Sequence, residues 1–214
     1  MDIRKFFGNT VIFDWDGTLI DSFDACFGAF HSSLKAYGVD LEENYFRKMY
    51  TLGWKNIYQH LKIPQYKWND VNRYWFEHYH IDLIKCIPAE VEITLQNMKN
   101  DGLRTGIITN GSQMRVEKEL KASGLYKFFS FVIYGDSTIY SKPNPSLMAH
   151  LLSQINVKRN EVIYIGDTYS DVVFGKRAGV FTVLKISKYT FRKNYSLYKP
   201  DLIIHNLREC RQLF

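Results

Sequence analysis

From about residue 88 onward the chain alternates short apolar runs with stretches of helical periodicity, and that alternation limits its fold more than any other feature. Residues 104–109, 129–134, 161–165, 181–184 and 202–204 are candidate strands, as are residues 10–13 earlier, and several of them are nearly continuous runs of Val, Ile, Phe and Tyr. Strands that are apolar on both faces belong in parallel sheets covered by helices on either side. Between the runs, Val91, Leu95 and Met98 recur at helical spacing, with Gly102 placed to end their helix. Leu147, Leu151 and Ile155 line another helix, and Gly179 ends one that starts near Ser170. Repeated β-α-β units predict an α/β fold, a doubly wound, mostly parallel Rossmann-like sheet.

Residues 21–85 break the rhythm. Their pattern is helical: Cys26, Phe27, Phe30, Leu34 and Tyr37 share one face, and Val71, Tyr74, Trp75 and His78 share a later one. The stretch is too long for a loop between neighbouring strands. It predicts an inserted α-helical cap over 21–85 on a catalytic core of 1–20 and 86–214, with the two connections acting as a hinge.

The hinge falls beside an unusual pair. Asp14 and Asp16 end the first apolar run, and side chains two apart on an extended chain point the same way. Such a pair repels unless a cation, a proton or a substrate relieves it, an arrangement that suits a nucleophile beside an acid/base. In open α/β sheets ligands bind outside the carboxyl ends of the strands. Other runs also end in polar residues: Thr109-Asn110-Gly111-Ser112, and Gly166-Asp167 followed by Asp171. Ser141-Lys142-Pro143 follows a further run after a short loop. Asp14, Asp16, Asp167 and Asp171 then face one lysine, Lys142, across a common crevice. A hard divalent cation such as Mg²⁺ solves that imbalance, because carboxylate oxygens are its natural ligands.

These ordered motifs resemble the haloacid dehalogenase superfamily, in its phosphatase branch with a helical cap, over nearly the full chain. The relatives in view are phosphoglycolate phosphatases and β-phosphoglucomutase-like proteins. The resemblance implies that Asp14 attacks phosphorus and forms an aspartyl-phosphate. It implies that Asp16 protonates the leaving alcohol and later deprotonates water, a proton on Asp16 also easing its repulsion with Asp14. Thr109 and the Asn110 amide would hold phosphoryl oxygens, and Lys142 would neutralise developing charge. Mg²⁺ would be held by the Asp14 carboxylate, the Asp16 main-chain carbonyl and Asp167, with Asp171 either a ligand through water or an orienting residue. Gly17 would let the chain turn, and Thr18 would brace the loop. Asp16 points to phosphate esters, since relatives that cleave other bonds lack this second aspartate. Trp15, between the aspartates, reads as a packing residue. In the cap, Thr51-Leu52-Gly53-Trp54-Lys55-Asn56 is the expected substrate-facing segment, with Lys55 and Asn56 as specificity candidates and Arg47, Lys48, His60 and Arg73 as alternatives.

The expected function is Mg²⁺-dependent hydrolysis of small phosphate monoesters; the alternatives are a sugar-phosphate mutase and an idle binding module. A hydrophobic fraction of 46% and a charged fraction of 23% fit a globular chain rather than a disordered one. The net charge of +6 favours anionic ligands only in a general way. Lys188, Arg192, Lys193 and Lys199, interleaved with tyrosines, read as a solvated basic loop rather than a nucleic-acid surface. Cys26, Cys86 and Cys210 match no zinc spacing, and their odd number argues against a disulfide framework; Cys26 and Cys86 read as packing residues. With no signal peptide or membrane span legible at the start, the expectation is a cytoplasmic monomer or weak dimer. Its partner would be a small phosphorylated metabolite, with no nucleic acid and no membrane.

Overall fold

Val11, Ile12 and Phe13 have no exposed surface, and the strand they form lies near the middle of a six-stranded, all-parallel sheet. The computed structural model describes residues 8–50, 54–191 and 197–214. Its strands are β1 (Thr10–Phe13), β2 (Arg104–Ile108), β3 (Phe131–Ile133), β4 (Val162–Gly166), β5 (Phe181–Lys185) and β6 (Leu202–Ile204), in the order β3-β2-β1-β4-β5-β6. Each candidate strand read from the sequence is present, with ends shifted by two residues or fewer. The strand order reverses direction between β1 and β4, and such a switch point opens a crevice at the carboxyl ends. Phe13 pairs in register with Ile107 on β2 and with Ile165 on β4, so the polar segments that follow these strands emerge side by side.

Between β1 and β2 the chain builds helices α1 (Phe23–Lys35), α2 (Glu43–Tyr50), α3 (Trp54–His60), α4 (Trp68–His78) and α5 (Leu83–Cys86). They carry a hydrophobic cluster of their own, including Phe23, Phe30, Leu34, Phe46, Tyr58 and Val71. Phe46 sits at its centre, with the rings of Phe23, Phe27, Phe30 and Tyr50 at 5.7, 5.6, 5.4 and 5.2 Å. The departing and returning chains meet where the Asp21 amide donates to the Cys86 carbonyl at 2.7 Å. One expected face is different. Val71 is buried and Trp75 half-buried, but Tyr74 and His78 face solvent and stack on each other at 4.8 Å. Among the described residues no helix is long and apolar enough to cross a membrane.

Helices α6 (Ala89–Asn100), α7 (Gln113–Ala122), α8 (Pro145–Ile155) and α9 (Tyr169–Ala178) cover the sheet. Strand alternation sorts the core into two layers. Val11 and Phe13 pack with Val91, Leu95, Val116 and Leu120 on one side, whereas Ile12 packs with Leu147, Leu151 and Phe174 on the other. The helices end as expected: Gly179 adopts φ +74° after α9, and Gly102 adopts φ +75° after α6.

The cap cluster yields a direct check. Phe46→Ala should destabilise the protein by about 3–5 kcal/mol, the usual cost of removing a fully packed Phe. Urea denaturation measures this, and a loss below about 1 kcal/mol would show that Phe46 is not a cap core residue.

Candidate active site

Lys142 is the hub of the crevice. The loop before α8 carries it in, and Asn110 pins that loop: its side chain donates to the Lys142 carbonyl at 3.1 Å and accepts from the Lys142 amide at 3.0 Å. The buried ammonium lies 2.8 Å from Asp14 Oδ1 and 2.7 Å from Asp171 Oδ1, and it donates to the Tyr164 hydroxyl at 3.0 Å. Burial alone would lower the Lys142 pKa, but the charges of Asp14 and Asp171 outweigh it and raise the pKa. Asp14, at the end of β1, is held by its amide on the Ile165 carbonyl at 2.8 Å. Burial pushes its carboxyl up to about 7 despite Lys142, with Asp171 and Asp16 adding to the rise.

Asp171 is the exception among the acids. Burial opposes its charge, but Lys142 and hydrogen bonds from Lys142, Thr168 and Tyr164 outweigh burial and lower its pKa. Its oxygens accept from Lys142, from Tyr164 at 2.7 Å, and from the Thr168 amide and hydroxyl at 3.1 and 2.6 Å. The bond from the Thr168 amide, with the Asp171 amide donating back to Thr168 Oγ1 at 3.3 Å, makes a capping box at the start of α9. Asp167 is in the opposite condition. Burial, then Asp171 and Asp14, raise its pKa well above the usual carboxylate range. Ser187 donates to its Oδ2 at 2.5 Å, and its buried Oδ1 has no partner.

Asp14, Asp167 and Asp171 each present an oxygen within 4.8 Å of the others. An orphaned buried carboxylate oxygen beside two further carboxylates fits a hard divalent cation. Asp171, whose oxygens are already engaged, is the least available of the three. Gly17 supports the group with φ +77°, and a Cβ there would collide with the Asp167 carboxylate. Buried Lys185 donates to the Gly17 carbonyl at 2.9 Å. Thr18 is buried too, but its hydroxyl has no hydrogen-bond partner, so it fills space rather than tying the loop.

Asp16 has a partner that the sequence reading did not supply: it receives both arms of Arg115, Nη1 at 3.0 Å on Oδ1 and Nη2 at 2.5 Å on Oδ2. Ser22 also donates to Oδ1, at 2.7 Å. Arg115 extends the network to Glu119 at 3.1 Å and to the Tyr79 hydroxyl at 3.1 Å. Glu119 in turn accepts from the Trp15 indole at 2.6 Å, so Trp15 is both packed and tied. Repulsion between Asp14 and Asp16 is thus met by two separate cations, Lys142 and Arg115. Sequence reading missed Arg115, because its i,i+4 spacing to Glu119 reads as an ordinary surface pair. The available signal was its place in the first turns of the helix that follows Thr109.

Above these groups lies a cavity of about 480 Å³ lined by Asp14, Asp16, Thr109, Asn110, Lys142 and Asp171 on the sheet side, and by residues from α1 to α4 on the other. The Thr109 hydroxyl accepts from the Gly111 amide at 3.0 Å and so shapes the loop at the cavity edge. Lys55 lines the cavity as expected, but Asn56, one helical step round α3, is not among the lining residues. Thr51, Leu52 and Gly53 lie outside the described residues. The alternatives are absent from the lining: Arg47 pairs with Glu43, Arg73 with Asp70, and the His60 ring bonds the Asn56 carbonyl.

The basic segment is not simply a solvated loop where it is described. Tyr189 is buried in the cap cluster, stacked on Tyr50 at 4.2 Å, with its hydroxyl 3.0 Å from Ser22 Oγ. Lys188 pairs with Asp24 at 2.8 Å and Asp21 at 3.4 Å, and its carbonyl accepts from Arg47. Arg192, Lys193 and Tyr195 lie outside the described residues. The cysteines are free, with Cys26 and Cys210 buried and Cys86 only half-buried.

Residues 11–185 match the family model of the haloacid dehalogenase-like hydrolases, and the chain belongs to that family. It is 30% identical over 206 residues to the pyrophosphatase PpaX of Bacillus mycoides, covering 94% of each chain. In fold it is similar to a predicted phosphoglycolate phosphatase from Haemophilus somnus, with TM-score 0.84 at 21% identity and coverage of 96% and 97% of the two chains. It is also similar to CbbY from Rhodobacter sphaeroides in complex with phosphate, with TM-score 0.80 at 20% identity and coverage of 95% and 96%.

Two measurements test this site. Arg115→Leu strands Asp16 and Glu119 as buried, uncompensated acids and should cost about 3–5 kcal/mol of stability in urea denaturation; a near-neutral result would show that the network carries no weight. Mg²⁺ should raise the melting temperature, more at pH 8 than at pH 5. The raised pKa of Asp14 means that protons compete with the cation as pH falls through about 7. Asp167→Asn should remove most of the shift, and an undiminished shift would place the cation elsewhere.

Proposed function

We propose that the protein is a Mg²⁺-dependent phosphatase of small phosphate monoesters, with Asp14 as nucleophile. The observation that supports this most is Asp14 itself: a buried carboxylate paired with Lys142, lining a cavity between the sheet and the helices, beside an acid on a separate cation. In this reading Asp14 attacks phosphorus while the bond to the alcohol oxygen breaks, giving an aspartyl-phosphate. Water then cleaves it and returns Asp14. Lys142 balances charge on the nucleophile and the phosphoryl group, Thr109 and the Asn110 amide receive phosphoryl oxygens, and Asp171 holds Lys142 in place. The Asp14 carboxylate, the Asp16 carbonyl and Asp167 would hold the cation, which when bound supplies positive charge to the phosphoryl oxygens.

Asp16 serves the proton transfers. Its pairing with Arg115 suits the carboxylate form that deprotonates water in the second half of the cycle. Delivery of a proton to the leaving alcohol in the first half requires that Asp16 carry one and that Arg115 let go. Arg115 contacts Tyr79 from the segment after α4, so movement of the cap and release of Asp16 are linked in this account. Residues 21–85 act as the cap over a core of 1–20 and 86–214, and the enzyme works in the cytoplasm as a monomer or weak dimer.

Asp14→Asn should abolish Mg²⁺-dependent phosphate release from p-nitrophenyl phosphate by at least about 10³-fold, while its circular dichroism spectrum stays native. Unchanged turnover in that variant would remove Asp14 as nucleophile. Isomerisation of a hexose phosphate with little free phosphate would instead mark a mutase.

A further inference from the structure

We infer that the alcohol released by this enzyme carries an aromatic or heteroaromatic ring and no second anionic group. The inference rests on the phosphatase reading and narrows its substrate class. It starts from a division of labour in the cavity. The sheet side contributes the ionic groups around Asp14 and Asp16, whereas the helices contribute mainly rings: Phe30, Tyr50, Trp54, Trp75 and Phe76. Trp54 and Phe76 line the cavity and remain 36% and 38% exposed.

Those rings are held in place in advance. Trp75 stacks on Tyr79 at 4.7 Å, tilts against Phe30 at 5.8 Å and meets Phe76 edge-on at 5.1 Å. Trp54 meets Tyr58 at 5.4 Å and Trp68 at 5.9 Å. A wall of pre-set rings loses little entropy when a flat ligand ring packs on it. The volume, about 480 Å³, falls in the range of roughly 300–1,000 Å³ that takes drug-sized organic ligands.

Charge argues in the same direction. Of the cations lining the cavity among the described residues, Lys142 is committed to Asp14 and Asp171, and Arg115 to Asp16 and Glu119. Lys55 is the remaining one, and it is exposed, with its ammonium 5.5 Å from the Trp54 ring centroid. A short carboxylated ester or inorganic pyrophosphate would place a second anion against aromatic walls with one solvated lysine to meet it. A neutral ring would bury apolar surface there instead.

The test compares phosphate release with Mg²⁺ from benzyl phosphate, ethyl phosphate, 2-phosphoglycolate and pyrophosphate. Benzyl and ethyl phosphate both release simple alkoxides, so their difference reports binding by the ring. The expected result is a kcat/KM for benzyl phosphate about tenfold or more above that for ethyl phosphate, carried mainly by KM, and above that for both probes with a second anionic group. Trp75→Leu should reduce the benzyl-to-ethyl ratio towards one. Phe76→Ala, at a more open position that tolerates truncation, should reduce it severalfold. Equal kcat/KM for the two alkyl esters, or preference for 2-phosphoglycolate, overturns the inference and leaves the phosphatase reading standing; preference for pyrophosphate overturns the inference and the monoester part of that reading. No phosphate released from any probe overturns both.

Discussion

Lys142 bridging Asp14 and Asp171 is the interaction on which the crevice depends. Parallel pairing brings the carboxyl ends of β1 and β4 together, and these ends deliver Asp14, Asp16 and Asp167 into a small volume, with Asp171 on the helix that follows. Water cannot screen charges that are buried this fully, so each acid must find a cation, a hydrogen-bond set or a proton. Lys142 supplies the first cation and Arg115 the second. Asp167 is left with one satisfied oxygen and one orphan, which is where the site fits a divalent cation.

The same need organises the contact between sheet and cap. Asp16 is bound by Arg115 from α7 and by Ser22 at the cap entrance; Arg115 reaches Tyr79, and Ser22 reaches Tyr189. The acid/base candidate is therefore the meeting point of the core, both ends of the helical segment and the strand-following loop at Lys188 and Tyr189. A change in the seating of the helices cannot leave the surroundings of Asp16 unchanged. The aromatic walls are part of the same seating, because Trp75 stacks on the Tyr79 that touches Arg115.

Much of this was legible in the chain. Continuous apolar runs fixed strand positions because both faces of β1, β2 and β4 are covered, and the order of Asp14, Thr109, Lys142 and Asp167 located the crevice. What escaped was set by tertiary contact. Arg115 and Glu119 have the spacing of a surface pair, and both are buried where they meet Asp16 and Trp15, distant in sequence. Asn110 was expected to act through its amide, yet its side chain also pins the Lys142 loop. Tyr74 and His78 share a helical period with Val71 but face solvent, since period alone does not say how wide a helix face is covered. Tyr189 sits in a basic, polar-looking stretch, and its burial follows from the cap folding over it.

The central claim is that Asp14 carries the phosphoryl group during turnover. Acid quenching of the enzyme during hydrolysis of benzyl phosphate, followed by borohydride reduction and peptide mass spectrometry, tests it directly. An aspartyl-phosphate at Asp14 would be reduced to homoserine at that position and nowhere else. Turnover under the same conditions with residue 14 recovered only as unmodified aspartate, or with homoserine found at another acid, would contradict the account.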